Sequence, residues 1–306
     1  MYTNLVSTPA AERFNESQSR RDASRTHAGE TVNALTIDVE DYFQVSAFAP
    51  FIGRDTWDGI PCRAEANVER ILAMLAEHGA KATFFTLGWI AERHPSIVRA
   101  IVAEGHELAS HGYGHQRASD LSPVEFTADI VRAKRLLEDI GGVAVRGYRA
   151  PSFSINHDNL WALDCIREAG YRYSSSIYPV RHDHYGMPDA PRFAYASLPD
   201  LVEVPVTTVE LFKRNWPAGG GGYFRLLPYA LSRWLLQRVN CVDGEPCMFY
   251  FHPWEIDPSQ PRVDGIDAKT RFRHYVNLDR TQDRLGHLLD DFRWDRVDRV
   301  FLRDAG

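Results

Sequence analysis

Residues 82–115 read ATFFTLGWIAERHPSIVRAIVAEGHELASHGYGH. Ala82-Thr83-Phe84-Phe85-Thr86-Leu87 is rich in β-branched and aromatic residues and reads as a strand. Pro95 to Glu104 follows a helical pattern, which Gly105 stops. Glu107-Leu108-Ala109 reads as a short strand running into Ser110-His111-Gly112-Tyr113-Gly114-His115. Strand, helix and strand in that order call for parallel pairing with a helical crossover, the unit of an α/β fold. The second strand ends on two imidazoles four residues apart. A pair at that spacing can chelate one metal ion from a single turn of chain. Gly112 and Gly114 argue against a helix interior and for a tight turn that lets backbone approach a ligand. A surface loop with two uncommitted histidines is the alternative.

The pattern extends in both directions. Upstream, Arg63 to His78 places Val68, Ile71, Leu72 and Leu75 at helical spacing, with Gly79 at its end. Before it, Ala34-Leu35-Thr36-Ile37-Asp38-Val39 reads as a strand ending in a knot of acid, Asp38, Glu40 and Asp41. Carboxylates so crowded repel one another unless water, a cation or hydrogen bonds compensate. A solvated acidic turn or a helix N-cap is the plain alternative. Tyr42-Phe43 follow and can wall off a pocket. Residues 1 to about 30 are polar, without sustained period, and read as a mobile tail.

Downstream, Pro123 to Ile140 is an amphipathic helix closed by Gly141-Gly142. Val145 to Tyr148 is a strand that delivers Arg149-Ala150-Pro151-Ser152-Phe153-Ser154. A helix at Asp158 to Ala169 precedes the strand Tyr171-Arg172-Tyr173, which leads into Ser174-Ser175-Ser176. Tyr178 to Pro199 reads as a long loop, and Leu201 to Val206 as a further strand. Gly219–Gly222 lacks the Lys-Ser/Thr of a phosphate loop and reads as a turn or lid hinge. Leu227 to Val239 is helical. Met248-Phe249-Tyr250-Phe251 is a strand whose end carries His252-Pro253-Trp254-Glu255. Asp279 to Asp291 is a last helix, with a final strand within Phe292 to Leu302.

The chain has 306 residues and 44% hydrophobic content, enough for a sizeable core. A net charge of −6 without a basic run gives no footing for nucleic acid. No apolar run approaches the ~20 residues of a membrane span, and the N-terminus lacks a signal-peptide pattern. Cys62, Cys165, Cys241 and Cys247 fit neither a zinc knuckle nor a disulfide framework. They read as buried thiols in a reducing compartment, so cytoplasmic residence is expected.

The acid cluster, the histidine pair, Arg149, Ser174–Ser176 and His252 each stand just after an expected strand. In a barrel of parallel strands those points crowd around one mouth. Two histidines and one carboxylate with open positions suit a zinc-like catalytic ion, which lowers the pKa of bound water and polarises a carbonyl. A second carboxylate could serve as general base, a separate histidine as the acid for a leaving amine, and Arg149 could orient the base. Each has a plainer counterpart: a surface ion pair for Arg149, a satisfied core histidine for His252.

These residues carry a resemblance. The segments Thr36–Phe43, Ala82–Phe85, Ser110–His115, Arg149–Phe153, Gly220–Arg225 and Phe251–Glu255, in this order, resemble the polysaccharide deacetylases with a NodB homology domain, family 4 of the carbohydrate esterases. Within these the chain looks most like the subgroup associated with exosortase and exopolysaccharide clusters. The resemblance spans roughly residues 32–302. It implies a single-domain, distorted (β/α)7 barrel over 31–306, with a subgroup extension from about residue 254. It implies hydrolysis of N-acetyl groups on amino sugars of an exopolysaccharide or its precursor, with an N-acetylated oligo- or polysaccharide as partner. By position, Asp38 matches the general base, Arg149 the arginine that orients it, and His252 the general acid. His111 and His115 match the metal ligands, for zinc, with cobalt or nickel as alternatives. Tyr42, through a backbone N–H, with Pro151 and Trp254, falls on the substrate and oxyanion side.

The chain departs from that family in two places. Val39 occupies the place of the usual second aspartate, so the carboxylate ligand is Glu40 or Asp41. Ser174 stands where subgroup relatives carry an acid that supports the arginine. A hydrolase of a small non-sugar amide and a non-catalytic glycan-binding module are the competing readings.

Overall fold

Val32–Val39 (β1) is buried along nearly its whole length and lies inside the main sheet, with a strand on either side. A strand covered on both faces needs apolar residues on both, and the sequence VNALTIDV supplies them. The computed structural model describes residues 31–181 and 186–302; the tail expected at 1–30 lies outside them. After β1 come Thr83–Thr86 (β2), Glu107–Ser110 (β3), Gly147–Tyr148 (β4), Tyr173–Ser174 (β5), Tyr195–Leu198 (β6) and Leu201–Glu203 (β7). Thr208–Leu211 (β8) and Arg214–Pro217 (β9) form a separate hairpin, followed by Met248–Phe251 (β10) and Arg293–Asp295 (β11).

The main sheet runs β10-β1-β2-β3-β4-β5-β7-β6. Every pair from β10 to β7 is parallel, and only the edge strand β6 is antiparallel. Parallel neighbours need crossovers, and helices Ala64–Glu77, Pro95–Ala103, Pro123–Gly141 and Trp161–Glu168 provide them. The sheet curls into an incomplete barrel. No ladder joins β7 to β10; instead the Thr207 backbone N–H donates to the Met248 carbonyl at 3.3 Å, and the Tyr250 N–H to the Gly219 carbonyl at 2.8 Å. This is the α/β, distorted seven-stranded barrel expected from the resemblance.

The register of the sheet aligns its rim. Val39 pairs with Thr86, Thr86 with Ser110, Ser110 with Tyr148, Tyr148 with Ser174 and Ser174 with Glu203. The residues that follow these positions therefore emerge side by side: Glu40, His111, Arg149 and Ser175. On the other side of β1, Ile37 pairs with Phe251, which brings His252 level with Asp38.

Three regions differ from the sequence expectation. The stretch 178–199 is not all loop, because Tyr195–Leu198 adds the antiparallel edge strand. The β8–β9 hairpin and helix Ala268–Tyr275 were not anticipated. The glycine run is no hinge. Gly220 bridges to Tyr250, and a Cβ there would sit 2.0 Å from the Tyr250 carbonyl oxygen, so the bare backbone packs directly on β10.

Candidate functional site

The histidine loop is held from below. Gly112 takes φ 75° and His115 φ 51°, both left-handed. Asp129 accepts hydrogen bonds from the N–H groups of Tyr113 at 2.9 Å and Gly114 at 3.3 Å. A Cβ on Gly112 would press on that carboxylate at 2.8 Å. The tight turn read from Gly112 and Gly114 is present, and Asp129, which sequence reasoning passed over, shapes it. Nothing in the primary sequence marked Asp129 beyond its polar place on an amphipathic helix.

His111 Nδ1 lies 2.9 Å from the Arg149 carbonyl oxygen. The acceptor fixes the proton on Nδ1 and leaves Nε2 as a lone-pair donor. Burial pushes the His111 imidazole down to about 4, so it is neutral and able to ligate. His115, Glu40 and His111 each offer one ligand atom, all within 4.8 Å of one another and all buried. Glu40 Oε2 stands 2.6 Å from His115 Nε2, yet it is buried without a well-angled hydrogen-bond partner. An orphaned carboxylate oxygen converging with two imidazole nitrogens is the donor chemistry of a divalent transition metal, so these three residues fit such an ion. Burial alone would raise Glu40, but the imidazoles of His115 and His252 outweigh it and hold the carboxyl well below the usual range.

Asp41, the other carboxylate left open by the sequence, has a different task. It caps the 3-10 turn Tyr42–Gln44. Oδ1 accepts from the Tyr42 N–H at 2.7 Å, and Oδ2 from the N–H groups of Arg63 at 2.5 Å and Ala64 at 3.0 Å. Both oxygens are spent on backbone, so Asp41 is removed from the candidate ligands. The same bond corrects the expectation for Tyr42: its N–H is taken by Asp41 rather than aimed at an oxyanion.

Arg149 is fully buried. Its Nη1 donates to Asp38 Oδ1 at 2.5 Å and to Thr36 Oγ1 at 2.8 Å, and its Nη2 donates to Ser175 Oγ at 2.9 Å. The guanidinium lies 4.0 Å over the Phe85 ring. Asp38 is thus clamped on one oxygen, and its other oxygen, Oδ2, faces His252 Nε2 at 3.9 Å.

Ser174 does not touch the arginine; its hydroxyl donates to Ser176 Oγ at 2.8 Å. An acid lies one strand over instead. Glu203 is the register partner of Ser174, is fully buried, and accepts from the N–H groups of Ser176 at 2.7 Å and Ile177 at 2.8 Å. Burial raises the Glu203 carboxyl, while Ser174, those N–H groups and the Arg149 charge oppose it.

His252 Nδ1 stands 2.8 Å from Glu255 Oε1. Burial lowers the imidazole, but Glu40, Glu255 and Asp38 more than compensate and push it up to about 9. Glu255 in turn lies 3.4 Å from Arg225 Nε, whose other nitrogens donate to the carbonyls of Arg273, His274 and Val276. Arg225 was quoted in the sequence only as part of a motif; the structure supplies its place, as the cation behind Glu255.

Trp254 was expected on the substrate side. Its indole is instead stacked between His252, at 5.1 Å, and His274, at 4.2 Å. Its Nε1 donates to Glu40 Oε1 at 3.1 Å. It orients the candidate ligand and the candidate acid together, and is walled off from a substrate. Pro151 opens the buried turn Pro151–Phe153 beside Arg149, where Ser152 and Phe153 take φ 57° and 49°.

Residues 55–174 match the model of the polysaccharide deacetylase family, and residues 175–302 match DUF3473, a domain of unknown function. The first match takes in His111, His115 and Arg149; the second takes in Arg225, His252 and Glu255. A peptidoglycan-N-acetylglucosamine deacetylase of Bacillus cereus is 35% identical over 96 residues, 31% of this chain and 35% of that protein. A chitooligosaccharide deacetylase of Azorhizobium caulinodans is 38% identical over 82 residues, 26% of this chain and 39% of that protein. The chain thus spans little more than a third of the length of either relative. A crystal structure from Mycobacterium smegmatis, provisionally described as a polysaccharide deacetylase, superposes with a TM-score of 0.57 over 87% of both chains at 21% identity, which establishes the shared fold. On these matches, residues 55–174 are similar to the polysaccharide deacetylase family and residues 175–302 to DUF3473, on a fold shared with the mycobacterial structure.

Proposed function

We propose that the chain is a metal-dependent hydrolase that removes N-acetyl groups from amino sugars of an exopolysaccharide or its precursor. The observation that carries this reading is the convergence at one rim of Glu40, His111 and His115 with two supported groups, Asp38 on Arg149 and His252 on Glu255. A site with one clamped carboxylate and one cationic imidazole on either side of a ligand triad has the parts an amide hydrolysis needs.

Glu40, His111 and His115 would hold the ion, zinc with cobalt or nickel as alternatives. Such an ion supplies Lewis acidity and a water acidic enough to be deprotonated near neutral pH. Asp38 takes the proton of the attacking water, with Arg149 fixing the direction of its free oxygen. His252, protonated at neutral pH, gives its Nε2 proton to the departing sugar nitrogen, and Glu255 stabilises the imidazolium. The products are acetate and a free amine. Relatives named for chitooligosaccharide and peptidoglycan deacetylation support a glycan over a small amide. Cytoplasmic residence, expected from the cysteines, belongs to the same reading.

The test is direct. Purified protein is analysed for bound metal, and acetate release is screened over N-acetylated oligosaccharides. Metal at one ion per chain with acetate release supports the reading. Tight sugar binding with neither metal nor acetate would replace it with a glycan-binding module.

A further inference from the structure

Beside the site lies a cleft of about 760 Å³. Its walls include Arg181, Lys213, Arg214, Trp216 and Tyr223, with Glu210 as the one acid among the described residues. Among the described residues, a protein of net charge −6 has here gathered three cations against one carboxylate. Among the described residues, none of Arg181, Lys213 and Arg214 makes an ion pair, although surface arginines elsewhere, such as Arg93 and Arg167, are paired. Trp216, half exposed, offers a flat apolar ring beside them.

The hairpin is built at a cost. Its two turn residues, Phe212 and Lys213, take φ 54° and 58°. Two-residue turns with both angles positive favour Asn-Gly, and bulky side chains there are strained. That strain sets Lys213 and Arg214 at the head of β9, along the cleft.

The cleft also abuts the catalytic rim. Val180, part of its wall, packs in one cluster with Phe153 and Tyr250, and the Tyr250 ring meets His252 at 5.7 Å. Tyr223, another wall residue, sits on Gly221–Leu226, the helix that carries Arg225.

We propose that this cleft is an accessory subsite for an acidic sugar residue of the substrate glycan, one that carries a carboxylate. Guanidinium and ammonium groups pair with carboxylates, and an indole face covers the C–H face of a pyranose. The inference rests on the glycan reading above and narrows it to an acidic glycan.

The experiment compares two N-acetylated hexasaccharides, neutral N-acetylglucosamine hexamer and acidic hyaluronan hexamer. Binding is titrated by calorimetry for wild type, Lys213→Glu/Arg214→Glu and Trp216→Ala, and acetate release is followed on the neutral hexamer. The acidic hexamer should bind wild type more tightly than the neutral one. The charge reversal should weaken it about tenfold while leaving acetate release from the neutral hexamer unchanged. Raising salt from about 20 to about 300 mM should have the same direction of effect. Acidic binding that survives the charge reversal overturns the proposal. So does sedimentation with phosphatidylglycerol vesicles that the reversal abolishes, if the acidic hexamer shows no binding; the patch is then a lipid contact. Charge-dependent binding without acetate release from the neutral hexamer upholds the subsite and overturns the deacetylase reading instead.

Discussion

Ser174 and Glu203 face each other across the parallel pair β5–β7, and the carboxylate behind Arg149 sits on the second of them rather than the first. Ser174→Asp, the substitution that installs the acid expected from the subgroup resemblance, should harm this protein. Two buried carboxylates side by side cannot both ionise, and a loss of about 3 kcal/mol is expected in urea unfolding. The double variant Ser174→Asp/Glu203→Ser should recover most of it, and acetate release from Ser174→Asp should not exceed wild type.

Glu40 and Asp41 separate by metal content. Glu40→Gln should purify with little bound metal, because it removes the charged ligand of the triad. Asp41→Ala should keep its metal and lose about 2 kcal/mol of stability, since three backbone N–H groups lose their acceptor. Elemental analysis and urea unfolding of both variants read the two effects; metal loss from the Asp41 variant alone would reverse the assignment.

Asp38→Asn should lower acetate release about a thousandfold with metal content near that of wild type. Metal lost together with activity would mean that the base and a ligand have been exchanged in this account.

Glu255→Gln keeps a hydrogen-bond acceptor for His252 Nδ1 and removes a charge. His252 is held up at about 9 in part by that charge, so the protonated acid persists through neutral pH. Neutralising Glu255 lowers the imidazole, and the alkaline limb of the rate profile should move to lower pH. An unmoved limb would show that His252 is not the group being titrated.

At the opposite end of the barrel, Glu107 is raised to about 7, first by burial and then by Asp298. Thr83 and Tyr173 donate to it at 2.5 and 2.9 Å, and the Asp298 N–H at 3.1 Å. The folded protein therefore keeps a proton that the unfolded chain, with a value of 4.5, releases. The associated stability is complete below about 4.5 and is lost as pH rises through about 7, an effect on the order of 3 kcal/mol. Glu107→Gln should flatten that part of the stability–pH curve in urea titrations.

Much of this was readable in the chain. Parallel strands show as short apolar runs between helical patterns, and β1, β2, β3 and β10 were each visible that way, with the polar residues after them. The choice between Glu40 and Asp41 was not visible, because it depends on which carboxylate the Arg63 and Ala64 N–H groups claim, and those lie more than twenty residues away. Trp254 looked like a substrate wall because aromatics beside polar clusters often are; its sandwich between His252 and His274 depends on helix Ala268–Tyr275, which has too few apolar residues to stand out. The β8–β9 hairpin escaped because its turn uses Phe-Lys instead of Asn-Gly. Glu203 escaped because register between β5 and β7 is a tertiary property.

Strand β1 has its neighbour β10 more than two hundred residues downstream, at Ala34↔Met248 through Ile37↔Phe251. A nascent chain on the ribosome can build β1 to β7 while Asp38 still lacks His252 opposite it. The proposed hydrolytic site is therefore completed late in synthesis, after Glu255 has emerged. Until then the edge of β1 is an unfilled slot that a chaperone, or another copy's β10, could occupy.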